Sequence, residues 1–111
     1  MAKYFHGNVF SMDIVNELTD NLRNGLGSRI YRIIIFGSYA RGEAREESDL
    51  DVLIVGNVRL DEVIEITYPL SLKSGVYISP VVMPADHFEM LLKENSSFLK
   101  NVLNEGVIVY G

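Results

Sequence analysis

At 111 residues and 48% hydrophobic side chains the chain has the size of one small domain, residues 1–111, which would bury roughly 65% of its unfolded surface and is too apolar for disorder. It has no cysteine, which excludes a disulfide framework and a thiolate metal site and points to a reducing cytoplasm; residues 1–10 do not read as a signal peptide, and no run of about 18 apolar residues marks a membrane span. Ten lysines and arginines against 15 aspartates and glutamates leave a net charge of −5, which argues against a broad basic face for long nucleic acid, and the nine residues Glu43–Asp51 hold −4 of it.

Along the chain, Ile14, Val15, Leu18, Leu22 and Leu26 recur at helical spacing, so residues 11–26 are expected to form an amphipathic helix capped by Ser11 and stopped at Gly25 and Gly27. Residues 30–36 (IYRIIIF) are β-branched and aromatic and run into Gly37-Ser38, the pattern of a buried strand ending in a tight turn. A second strand is expected over 50–55 (LDVLIV), closed by Gly56-Asn57. Residues 60–73 read as a helix with Val63, Ile64, Thr67 and Tyr68 inward and with Pro69 kinking or ending it. Residues 76–83 (VYISPVVM) predict a third strand, placed at an edge or carrying a bulge because of Pro80. Helices follow over 85–93 and 96–105, the second capped by Gly106, and 107–110 (VIVY) supplies a short last strand. Apolar residues of the last helix either complete the core or form a homo-oligomer or partner interface. The alternation of helix and strand gives an α/β or α+β domain.

The arrangement that carries chemistry is Gly37-Ser38, ten residues, then Asp49-Leu50-Asp51. Glycine after a buried strand lets the backbone turn and approach a ligand, and the amides of a following helical turn, with a serine hydroxyl, donate to phosphate oxygens. Arg41 and Gly42 extend that turn, and Ser48 precedes the acids. Aspartates at i and i+2 of a strand point the same way, with Cα atoms roughly 6.6–6.8 Å apart, from which both carboxylates reach one Mg²⁺ or bridge two. Two carboxylates on an otherwise apolar strand are costly unless a cation or hydrogen bonds satisfy them. The chemistry implied is phosphoryl or nucleotidyl transfer. Arg41 reads equally as a phosphate contact or as a partner of the following glutamates; Glu43, Glu46 and Glu47 read as an exposed acidic loop, and Tyr39 could border a nucleotide.

The stretch GSYARGEAREESDLDVLIV, residues 37–55, resembles the motif of the minimal nucleotidyltransferases of the DNA polymerase beta superfamily, and SSFLKNVLNEGVIVYG, residues 96–111, is similar to the close of their short bacterial and archaeal members. The resemblance implies a nucleotidyltransferase-like mixed β-sheet flanked by helices, with Mg²⁺-ATP held between the Gly-Ser turn and the two aspartates. Asp49 and Asp51 would then be the catalytic metal ligands, and Gly37, Ser38, Arg41, Gly42 and Ser48 would bind the nucleotide. It also implies a partner, a HEPN-domain protein encoded nearby. Several such pairs look like toxin and antitoxin, the small enzyme moving AMP from ATP to tyrosines of the toxin.

The family's full site has a third carboxylate on a following strand, and here that strand carries no acid; Ser79 stands at the position expected for it. Glu62, Asp86 and Glu89 are the other acids weighed for the role. Two further functions therefore stand beside enzymatic AMP transfer to a protein: a catalytically impaired nucleotide-binding antitoxin that neutralises its partner by contact, and transfer to a small molecule such as an aminoglycoside.

Overall fold

The computed structural model describes residues 3–4, 12–45 and 47–111, beginning with a two-residue strand, β1 (Lys3–Tyr4), that no sequence pattern marks. The expected cap Ser11 and the loop residue Glu46 lie outside the described residues. Helix α1 (Met12–Leu26) buries Val15, Leu18 and Leu22 completely, as their one-turn spacing requires; it runs through Gly25, and a short 3₁₀ turn, Gly27–Arg29, leads into β2 (Ile30–Phe36). A four-residue helix, α2 (Ser38–Arg41), opens the connection to β3 (Leu50–Gly56). Then come α3 (Leu60–Ser74), β4 (Ile78–Met83), α4 (Ala85–Lys93), α5 (Ser97–Glu105) and β5 (Val107–Tyr110).

The strands form one mixed sheet in the order β1-β5-β2-β3-β4. β2 runs antiparallel to both β3 and β5, while β4 lies parallel to β3 and β1 parallel to β5. Both faces of the central strands are covered. Ile33, Ile35, Val52 and Ile54 meet α1 and α3, while Ile34, Leu53 and Val55 meet Phe88 of α4 and Leu99 and Val102 of α5. This two-sided burial is why β2 and β3 read as continuous apolar runs rather than alternating ones. Among the described residues β4 is an edge strand, one of the two places Pro80 was expected to allow: it pairs with β3 in a register that sets Pro80 opposite Val52.

Besides the passage of α1 through Gly25, the structure differs from expectation within α3. Helix α3 does not end at Pro69 but continues through it to Ser74, with Pro69 exposed. Its buried stripe is Val63, Thr67 and Leu70, which turns Ile64 and Tyr68 outward, 43% and 59% exposed. The i, i+4, i+7 set belongs to the face that meets α1 and the sheet, and residues 64 and 68 sit about 100° around from it. Gly106 caps α5 as expected, its N–H donating to the Val102 carbonyl at 2.6 Å from extended backbone (φ −76°); a Cβ there would sit 2.8 Å from Ile34 Cγ2 and against that carbonyl. For α5, Leu99 and Val102 are 1% and 2% exposed and complete the core.

The start of α3 is held by an acid. Glu62 accepts from the Arg59 backbone N–H at 3.0 Å and takes the Arg29 guanidinium in a fork, at 2.8 and 2.6 Å. Chiefly through Arg29, then through that N–H, its carboxyl is lowered from 4.5 to about 2. A depressed carboxylate stabilises the fold above its unfolded pKa and loses that contribution as pH falls through the folded value. Acid titration of Tm should therefore show a decline between about pH 4.5 and about pH 2 that Glu62→Gln flattens; an unchanged decline would assign it to other carboxylates.

Candidate active site

Gly37 and Asp51 are brought together by the strand pairing itself. β2 and β3 are antiparallel with Phe36 opposite Asp51, so the residue that leaves β2 and the residues that enter β3 lie side by side although the 37–49 connection separates them. Gly37 has φ +73° and ψ −155°, a region open in practice to glycine alone, and a Cβ on it would collide with the Asp51 carboxylate. The chain then turns into α2, where the Arg41 N–H donates to the Gly37 carbonyl at 3.1 Å. As in any helical first turn, the amides of Ser38, Tyr39 and Ala40 lie outside the helix's own hydrogen-bond ladder. The Leu50 N–H donates to the Tyr77 carbonyl at 2.9 Å, which pins the start of β3, and with it both aspartates, to the strand beside it.

The turn at Gly37 and the two aspartates border an open cavity of about 430 Å³, a volume typical of a small-molecule site. Gly37, Ser38, Arg41, Asp49 and Asp51 all reach it. Gly42 and Ser48 do not line it. Gly42 ends α2 with φ +72°, and the Ser48 hydroxyl accepts from the Arg45 N–H at 2.8 Å, closing a turn in the loop. Tyr39 is half-buried and packs on the α1 side of the sheet.

Burial, and then the neighbouring Asp49 charge, push the Asp51 carboxyl above its ordinary value, with Arg41 opposing them. Arg41 has two carboxylate partners, Glu43 at 2.7 Å and Glu105 at 3.0 Å, so both readings of it hold geometrically: it faces the cavity and it pairs with acids. Among the described residues no group of three or more histidines, cysteines, aspartates or glutamates is placed to hold a metal. The pair Asp49 and Asp51 still suits a hard dication, because Mg²⁺ in nucleotide sites commonly takes one or two carboxylates and completes its shell with phosphates and water. The parallel register sets Ser79 opposite Asp51 on the same side of the sheet, with no acid there. Of the other acids weighed, Glu62 is bound by Arg29, and Asp86 and Glu89 do not line the cavity.

The far wall is α5, which contributes Phe98, Asn101, Val102 and Glu105. The resemblance of residues 96–111 covers them without giving any of them a role in the site. Positions 98, 101 and 105 share one helical face by their 3-and-4 spacing, but which object that face meets is decided by how α5 packs on the sheet.

The family model for the nucleotidyltransferase domain matches residues 15–109. The chain belongs to that family. Two Methanocaldococcus jannaschii proteins, both provisionally named protein adenylyltransferases, resemble this nucleotidyltransferase domain: one is 46% identical across 86% of this chain and 94% of its own length, the other 35% across 88% and 97%. A chain in the crystal structure of a toxin–antitoxin with AMP-PNP superimposes on it with a TM-score of 0.64, covering 86% of this chain and 72% of that one at 21% identity. A chain from the complex of a tri-AMPylated Shewanella oneidensis HEPN toxin with its MNT antitoxin gives 0.59, covering 90% and 71% at 18% identity. At such identities the likeness is one of fold, and it agrees with the mixed sheet described above. The nucleotidyltransferase domain thus places the chain among enzymes.

Proposed function

We propose that this nucleotidyltransferase moves AMP from ATP, with Mg²⁺, to a hydroxyl of a partner protein, a tyrosine of a HEPN-domain toxin, and so acts as its antitoxin in the cytoplasm. The observation that carries the reading is the convergence of Asp49, Asp51 and the Gly37-Ser38 turn on one cavity. The names of the two archaeal relatives and the partners of the fold neighbours support protein as the acceptor and a HEPN toxin as the protein.

In this reading the first-turn amides of α2 and the Ser38 hydroxyl donate to the triphosphate oxygens, and Gly37 keeps the approach clear of side chain. Arg41 lies on the same wall, where its charge complements a polyanion. Asp49 and Asp51 would hold the Mg²⁺, which when bound offsets phosphate charge and favours an attacking oxygen. Transfer forms a bond between the acceptor oxygen and the α-phosphorus and breaks that phosphorus's bond to the bridging oxygen. Pyrophosphate leaves with the bond's electron pair, and the hydroxyl proton is lost to solvent.

The test is a mass measurement on the two proteins together. With Mg²⁺-ATP, the HEPN protein encoded beside this chain should gain mass in adenylyl increments, on tyrosine by fragmentation; no gain with the wild-type chain would reject the proposal. Ser79 beside Asp51 favours a second reading, neutralisation of the same partner by contact, since a serine hydroxyl neither binds metal strongly nor acts as a base near neutral pH.

A further inference from the structure

We propose that α5 supplies the nucleobase subsite of this cavity, with Phe98 as the stacking surface and Asn101 as the group that selects adenine. The inference rests on the nucleotide-binding reading above and concerns the opposite wall.

That wall carries no cation free for phosphate. Its one acidic side chain among the described lining residues, Glu105, is held by Arg41 at 3.0 Å, which also ties the C-terminal end of α5 to α2. Beside Val102, what remains is an aromatic ring and a carboxamide, presented from a helix whose rotation is set by Leu99 and Val102 in the core. Phe98 is 39% exposed and stands edge-to-face with Phe36, ring centroids 5.8 Å apart at 89°, so its plane is fixed while part of it faces the cavity. Asn101 lies one turn along, exposed and, among the described residues, without a hydrogen-bond partner. Nucleobases are bound by such a pair: an aromatic surface takes any base, and a carboxamide offers the donor and acceptor that match N7 and N6 of adenine. Guanine presents two acceptors at the same edge and satisfies only half of the amide.

The experiment is equilibrium binding to the full chain of Mg²⁺-ATP, Mg²⁺-GTP and Mg²⁺-tripolyphosphate, the last having phosphates and no base. Wild type should prefer ATP to GTP. Asn101→Ala should weaken ATP about tenfold, bring the two nucleotides level and leave tripolyphosphate unchanged. Phe98→Ala should weaken ATP and GTP together by about tenfold, again sparing tripolyphosphate; Phe98→Leu, which keeps an apolar contact with Phe36, should do the same if loss of fold complicates the alanine. An equal loss of tripolyphosphate in the Asn101 variant, or a wild type indifferent to the base, would overturn the α5 subsite while leaving the triphosphate site standing. A wild type that binds none of the three would overturn the nucleotide reading itself.

Discussion

Asparagine at both Asp49 and Asp51 should abolish adenylyl transfer, by at least about a thousandfold, while the chain stays folded. Removing the charges that would hold a cation forfeits several kcal/mol of transition-state stabilisation, and each 1.4 kcal/mol or so is tenfold in rate. The fold should not suffer. The Asp51 carboxyl is pushed up by burial and by Asp49, so its ionised form is disfavoured in the folded chain, and the neutral amides relieve that strain. The double variant should therefore match or exceed the wild-type Tm at pH 7 while adding no adenylyl mass to a HEPN partner. The same variant separates the two proposed readings. If it still protects cells from the toxin, neutralisation is by contact; if it binds the partner but no longer protects, neutralisation is by modification.

Gly37→Ala should remove nucleotide binding more completely than any other single methyl added to the chain. The backbone there costs a non-glycine residue about 1–3 kcal/mol, and the new Cβ would displace the Asp51 carboxylate from its position beside the turn. Gly75→Ala is the control. It has a similar φ, +74°, at the end of α3, but no atom within 4 Å of the added Cβ. It should lower Tm and leave Mg²⁺-ATP affinity as it was. Equal losses of affinity in the two variants would show that the effect of Gly37 is one of global stability and not of the turn.

The half of the cavity that was legible in the sequence is the half built by chain neighbours. Gly37-Ser38 and Asp49-Asp51 are joined by one connection between two strands whose apolar runs are unmistakable; the family resemblance implied that they would meet, and the pairing of Phe36 with Asp51 realises it. Ser79 was legible only through the family resemblance, which calls for a third carboxylate on the following strand, and the parallel pairing of β3 and β4 sets it opposite Asp51. Gly42 and Ser48, by contrast, sit in the motif without reaching the cavity, because the left-handed end of α2 and the turn at Arg45 use them locally.

Helical periodicity determined which residues of α1 face inward, Val15, Leu18 and Leu22 among them, since one-turn spacing of apolar side chains is a local property of the chain. It did not determine the burial of α3, where apolar residues ring more of the helix than the core can take and contact with α1 and the sheet selects Val63, Thr67 and Leu70 over Ile64 and Tyr68. Nor could it place Phe98, Asn101 and Glu105 at the cavity. Arg41 and Glu105 stand 64 positions apart, and no spacing rule reaches that far. Residue order by itself thus determined the chemistry of one wall, through a turn and two strands with fixed geometry. The tertiary structure alone decided what stands opposite, because the packing of α5 against both strands of that turn sets which of its faces closes the site.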